Sequence, residues 1–139
     1  MDYQTAVDDH IRPRSLAFLG SVRDALLPLG IKITDILIEE ADTVDLRFQL
    51  TAIGLLGRRF ICAVELTDTV RFGDAGNGKG VLTLNVEDAL TSLSLTTYSA
   101  GEAQAYVEPG GADALVSKLD DIDGALPEVI TKARLALGI

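Results

Sequence analysis

The sequence predicts an α+β domain: a single antiparallel sheet of about five to six strands, mostly a meander, with an N-terminal helix and C-terminal helices packed on one face. Three observations predict it. Residues 14–27 place apolar side chains every three or four positions, the helical period. Residues 44–53 and the runs after them alternate, the strand period. From Leu115 onward the apolar positions return to steps of four and three.

At the N-terminus Tyr3, Val7 and Ile11 recur at i, i+4 and i+8, so residues 1–13 read as a short helical or mobile arm. Pro13 is expected to interrupt it, because the ring removes a donor and crowds the preceding turn. Leu16, Leu19, Val22 and Leu26 then stripe one face of a helix that Pro28 and Gly30 end. Ile31 and Ile33 alternate, Thr34-Asp35 shifts the phase, and Ile36-Leu37-Ile38 continues, which predicts a bulge near Asp35. Val44, Leu46, Phe48, Leu50 and Ala52 alternate with Asp45, Arg47, Gln49, Thr51 and Ile53. Phe60, Cys62, Val64 and Leu66 share one face of the next strand, and Leu82, Leu84 and Val86 one face of a third. Residues 93–98 and 103–108 read as a hairpin around Ala100-Gly101. Leu115, Leu119, Ile122, Leu126, Val129, Ala133 and Ala136 form a seam of coiled-coil spacing. Gly124 and Pro127 predict a break or kink within it at 120–126.

A chain of 139 residues forms one domain, 1–139, and buries enough surface to need no staples. Apolar residues are 47% and aromatics 5%, so the core is aliphatic. Met1-Asp2-Tyr3-Gln4 has neither a basic start nor an apolar core, and no apolar run nears the ~20 residues of a membrane span. With one cysteine no internal disulfide forms, and a cytoplasmic protein is expected. There are 21 acidic and 12 basic side chains, net −9. Such a chain repels phosphate backbones and anionic lipid, so neither nucleic acid nor membrane is an expected partner.

One histidine, His10, and one cysteine, Cys62, leave little room for nucleophilic, acid–base or transition-metal chemistry. Cys62 shares a strand face with Phe60 and Val64, the setting of a core thiol. Gly73-Asp-Ala-Gly-Asn-Gly-Lys-Gly80 matches the opening of a phosphate-binding loop. Gly80 stands where that motif needs Ser or Thr, and Val81-Leu82-Thr83-Leu84 is strand-like where it needs a helix. A flexible inter-strand loop is the expectation, and Asp74 and Asn77 do not complete an EF-hand pattern. Asp120-Asp121-x-Asp123 and Glu39-Glu40-x-Asp42 read as solvated turns. No cofactor and no metal is expected.

The sharpest feature is Gly54-Leu55-Leu56-Gly57-Arg58-Arg59. Leu55 and Leu56 at a strand connection either tuck under a helix or form an apolar tip beside Arg58 and Arg59, a good partner anchor. The leading expectation is a small acidic, non-enzymatic binding or adaptor domain, acting on a protein partner or as a homodimer. A dimer would use the sheet's outer face, where Ile61 and Ala63 are apolar, the 54–59 turn or the C-terminal seam. The alternative is a small-ligand-binding protein or enzyme with a pocket between sheet and helices, its polar candidates Arg47, Tyr98, Glu102 and Tyr106. In plan, length and acidity the chain resembles small secretion chaperones and other adaptor proteins; the likeness is architectural, and no motif carries it.

Overall fold

The computed structural model describes residues 3–33, 37–39, 46–54, 57–68, 80–90 and 111–139. The chain enters as one helical run: α1 (Tyr3–Ala6), a π turn (Val7–Ile11) and α2 (Arg12–Leu26), followed by a 3₁₀ turn (Leu27–Leu29) and Gly30 at φ +80°. The interruption expected at Pro13 does not occur. The helix instead widens one turn ahead of the ring, and the Arg12 N–H reaches back five residues to the Val7 carbonyl. Pro13 then falls in the first turn of α2, where its missing donor costs least. Ala6, Val7 and Ile11 are buried, so the arm belongs to the core. The buried stripe of α2 runs Ser15, Phe18, Leu19, Val22 and Leu26, with Leu16 at its margin.

Five segments build the sheet: β1 (Lys32–Ile33), β2 (Leu37–Glu39), β3 (Leu46–Ile53), β4 (Arg58–Asp68) and β5 (Gly80–Leu90), all antiparallel to their neighbours. β1 and β2 both pair with β3. Ile33 lies opposite Ala52 and Leu37 opposite Gln49, an advance of four residues against three. This is the one-residue slip the sequence predicts; residues 34–36 themselves lie outside the described ones. β1 and β2 are thus two halves of one edge position. Among the described residues the meander has four strand positions, not five to six, and the expected hairpin at 93–98 and 103–108 lies outside them.

Period-2 patterning sorts the two faces of the sheet. Leu46, Phe48, Leu50 and Ala52 of β3 are buried, and the residues between them half-buried. In register, Phe48, Val64 and Leu84 form one inward row, and Leu50, Cys62 and Val86 the next. α2 covers β3, α4 (Leu126–Leu137) lies beside it over β4, and α3 (Gly111–Gly124) covers β5 and meets α1. The seam turns inward: Leu115, Leu119, Ile122, Val129, Ala133 and Ala136 are all buried. The chain breaks between α3 and α4 at Ala125, with Gly124 before it and Pro127 in the first turn after. Arg14 locks α2 to the end of α3 through Asp120 at 2.8 Å and Asp123 at 2.5 Å. Hydrogen bonds to these two carboxylates, Asp123 first, hold its guanidinium above the ordinary arginine range.

Candidate partner-binding end of the fold

Two helix ends and one hairpin meet at the same end of the sheet. β3 and β4 are closed by the Gly54 N–H donating to the Arg58 carbonyl at 2.8 Å, with Ile53 opposite Arg59. Gly57 has φ +72°, the left-handed residue that a short hairpin connection needs. Gly54 touches the last turn of α4: a Cβ there would lie 2.8 Å from the Leu137 carbonyl oxygen. The C-terminus of α2 arrives at the same place, because Lys32, three residues after Leu29, pairs with Ile53.

The large hydrophobic side chains exposed among the described residues are Leu27 at 50%, Leu29 at 42%, Leu135 at 70% and Ile139 at 40%. All four belong to these two helix ends. Scattered apolar exposure is ordinary on a soluble protein; exposure confined to one end is the informative case. The basic residues here are Lys32 and Arg134, both exposed, and Arg58 and Arg59, both half-buried. The Arg58 guanidinium reaches the α4 terminus, 3.9 Å from where a Cβ on Gly138 would stand. A cation there offsets the negative end of the helix dipole. The Arg59 Nε is buried without a hydrogen-bond partner.

Five of the other described bases are ion-paired. Arg14, Arg23, Arg47, Lys118 and Lys132 each have a carboxylate within ion-pair reach. Among the described residues none of Lys32, Arg58, Arg59 and Arg134 has one; Arg12 is the other base without such a partner.

The residues singled out in the sequence fall in three groups. Arg58 and Arg59 are at this end. Leu55 and Leu56 lie outside the described residues, as do Tyr98, Glu102 and Tyr106. Arg47 projects from the sheet face opposite the helices, not into the space between the layers. It pairs with Glu65 and donates to Gln49 Oε1 at 2.9 Å. It stands six residues along β3 from Ile53, about 20 Å from the hairpin. Among the described residues the layer between sheet and helices is filled by aliphatic side chains, Cys62, Phe18, Phe48 and Phe60. Sequence reasoning did not pick out Leu27, Leu29, Leu135 or Ile139. Leu135 was detectable as a large apolar residue off the buried seam, and Leu27 and Leu29 as leucines flanking the proline that stops α2.

The other chemical candidates are placed as follows. Cys62 is buried, and burial pushes its thiol up to about 12, so it holds its proton at neutral pH and is no nucleophile. Gly80 opens strand β5, where a phosphate-binding loop would open a helix; residues 73–79 lie outside the described ones. Asp120 and Asp123 grip Arg14, and Asp121 lies 3.7 Å from Lys118. Among the described residues no three His, Cys, Asp or Glu side chains gather as a metal-binding group, and no helix is long and apolar enough to cross a membrane. Comparison of the chain with family models, with curated proteins and with solved structures found no match.

Proposed function

We propose that this protein is a small acidic, non-enzymatic binding or adaptor domain that acts in the cytoplasm through protein–protein contact, with a partner or with a second copy of itself. The observation that carries the reading is that, among the described residues, the exposed large apolar side chains all lie at the C-termini of α2 and α4. Apolar anchors ringed by arginine are the composition of interface centres, where a few residues supply most of the binding energy. Arg58, which reaches the α4 terminus, borders the same surface.

Site-specific photocrosslinking in the native cell tests the reading. A crosslinker at position 135 or 29 is expected to give discrete protein adducts, while one at position 121 on the acidic α3–α4 junction gives none. Adducts of equal yield from both ends, or no adducts from positions 135 and 29, would reject it.

A further inference from the structure

We infer that residues 3–11 are a strap: α1 and the π turn swing off α3 as one unit, on a hinge ahead of Pro13, while the rest of the fold stays closed. The inference stands apart from the partner-binding reading. It starts from Pro13. A proline in the first turn of a helix is well tolerated, because its missing N–H would have no helical partner in any case. α2, beginning at Arg12, therefore has a sound N-terminus of its own and needs no helix before it. What precedes it is joined through a widened turn, in which the Arg12 N–H donates to the Val7 carbonyl five residues back. Such turns are rare and recur at functional places in helices.

In the closed form Ala6, Val7 and Ile11 are buried, and α1 and the π turn both pack on α3. Opening exposes these side chains but frees the backbone of the whole arm, two effects of opposite sign. Ser15 shifts the balance toward opening. It is 1% exposed, and its hydroxyl has no hydrogen-bond partner. A buried polar atom in that state is costly and calls for a reason. Ile11 lies one turn back on the same helix face, so withdrawal of the arm lets water reach the Ser15 hydroxyl. Beyond the hinge α2 is rooted. Phe18, Leu19 and Val22 are buried, and Arg14 ties α2 to the end of α3 through Asp120 and Asp123. The motion therefore ends at Arg12, and it uncovers the flank of α3 on which the arm rests.

Native-state hydrogen exchange of the full chain in sub-denaturing guanidinium decides. Amides of residues 7–12 are expected to share one opening free energy, smaller than that of the β3 and β4 amides and nearly independent of denaturant, because little surface is exposed. The β3 and β4 amides should follow global unfolding. Cys62→Ala, in the middle of β4, should speed exchange several-fold in β3 and β4 and leave the arm unchanged. Ser15→Ala removes the hydroxyl that gains water on opening, so it should slow arm exchange about tenfold. An arm that exchanges together with β3 and β4 in the parent, at the same denaturant slope, would overturn the strap. So would rates graded residue by residue along the arm, the pattern of fraying. Arm exchange accelerated by Cys62→Ala would overturn it by making the arm part of the global unit. Arm exchange unmoved by Ser15→Ala would overturn it by removing the part assigned to the buried hydroxyl.

Discussion

Cys62 sits mid-strand between Phe60 and Val64, with no solvent exposure. Desolvation disfavours the thiolate, which is why the folded thiol is pushed from its ordinary 9.0 up to about 12. The consequence for stability has a definite sign. Below pH 9 folded and unfolded thiols are both protonated, and the contribution is complete. Between about pH 9 and about 12 only the unfolded chain releases the proton, so stability falls by roughly 1.4 kcal/mol per pH unit. Urea unfolding of the parent and of Cys62→Ala across this range should show the extra alkaline slope in the parent alone. Parallel slopes would mean that the thiol is not desolvated. Phe48, opposite Ile38 on β2 and Val64 on β4, tests the same core by volume. It is fully buried, and Phe48→Ala should cost about 3–5 kcal/mol through lost burial and the cavity left behind. A loss under about 1 kcal/mol would place the inward face of β3 on the wrong set of alternate residues.

Elements were legible where one period controlled burial. β3 alternates perfectly between buried and half-buried, because a meander strand covered on one face obeys period 2 and nothing else. The slip at residues 33–37 was readable for the same reason: an added residue must flip the inward phase, and the register records it. The α3–α4 break was readable because Gly124 and Pro127 each weaken the same turn. Pro13 was misread. A lost donor announces a disturbance, but whether the helix stops or widens into a π turn depends on Ala6, Val7 and Ile11 finding the core, which is a tertiary fact. The partner-binding end was half legible. Gly54 to Arg59 stood out by composition, whereas Leu135 acquires meaning only once the seam of α4 is known to face inward. The junction of hairpin and helix carries its own prediction. Gly54 has no room for a side chain, since the nearest atom is the fixed backbone carbonyl of Leu137. Gly54→Ala should therefore destabilise by about 1–3 kcal/mol as the α4 terminus is forced away. Calorimetry showing an unchanged midpoint would mean that the helix end is not seated on the hairpin.

At the scale of the molecule, the three surfaces the sequence offers for self-association differ in character. The C-terminal seam is spent inside the core. The outer sheet face is a polar ladder: Ile61 lies between Thr51 and Glu87, Ala63 lies between Gln49 and Asn85, and Arg47 is paired to Glu65. The hairpin end carries the exposed Leu27, Leu29, Leu135 and Ile139. The described acids are denser at the far end of α4, with Asp24 and Glu87 at the hairpin end. Asp120, Asp121, Asp123 and Glu128 gather where α4 begins, and α4 carries the chain some 18 Å to the end where the unpaired cations sit. That division raises a sharper question about nucleic acid than net charge alone, because a local basic patch could engage phosphates. Magnitudes decide it. Four phosphate contacts would release few counterions, giving a salt slope of about −4, while a chain of net −9 brings its own repulsion to every additional contact. Recognition of bases would further need side chains set together to enter a groove, and here Lys32 and Arg59 flank Ile53 on the outer sheet face while Arg134 lies on α4. Titration of labelled duplex and single-stranded DNA at physiological salt should therefore give no sub-micromolar binding. Sub-micromolar, salt-sensitive binding lost in the Lys32→Gln, Arg134→Gln double variant would reverse this conclusion and make the hairpin end a phosphate surface.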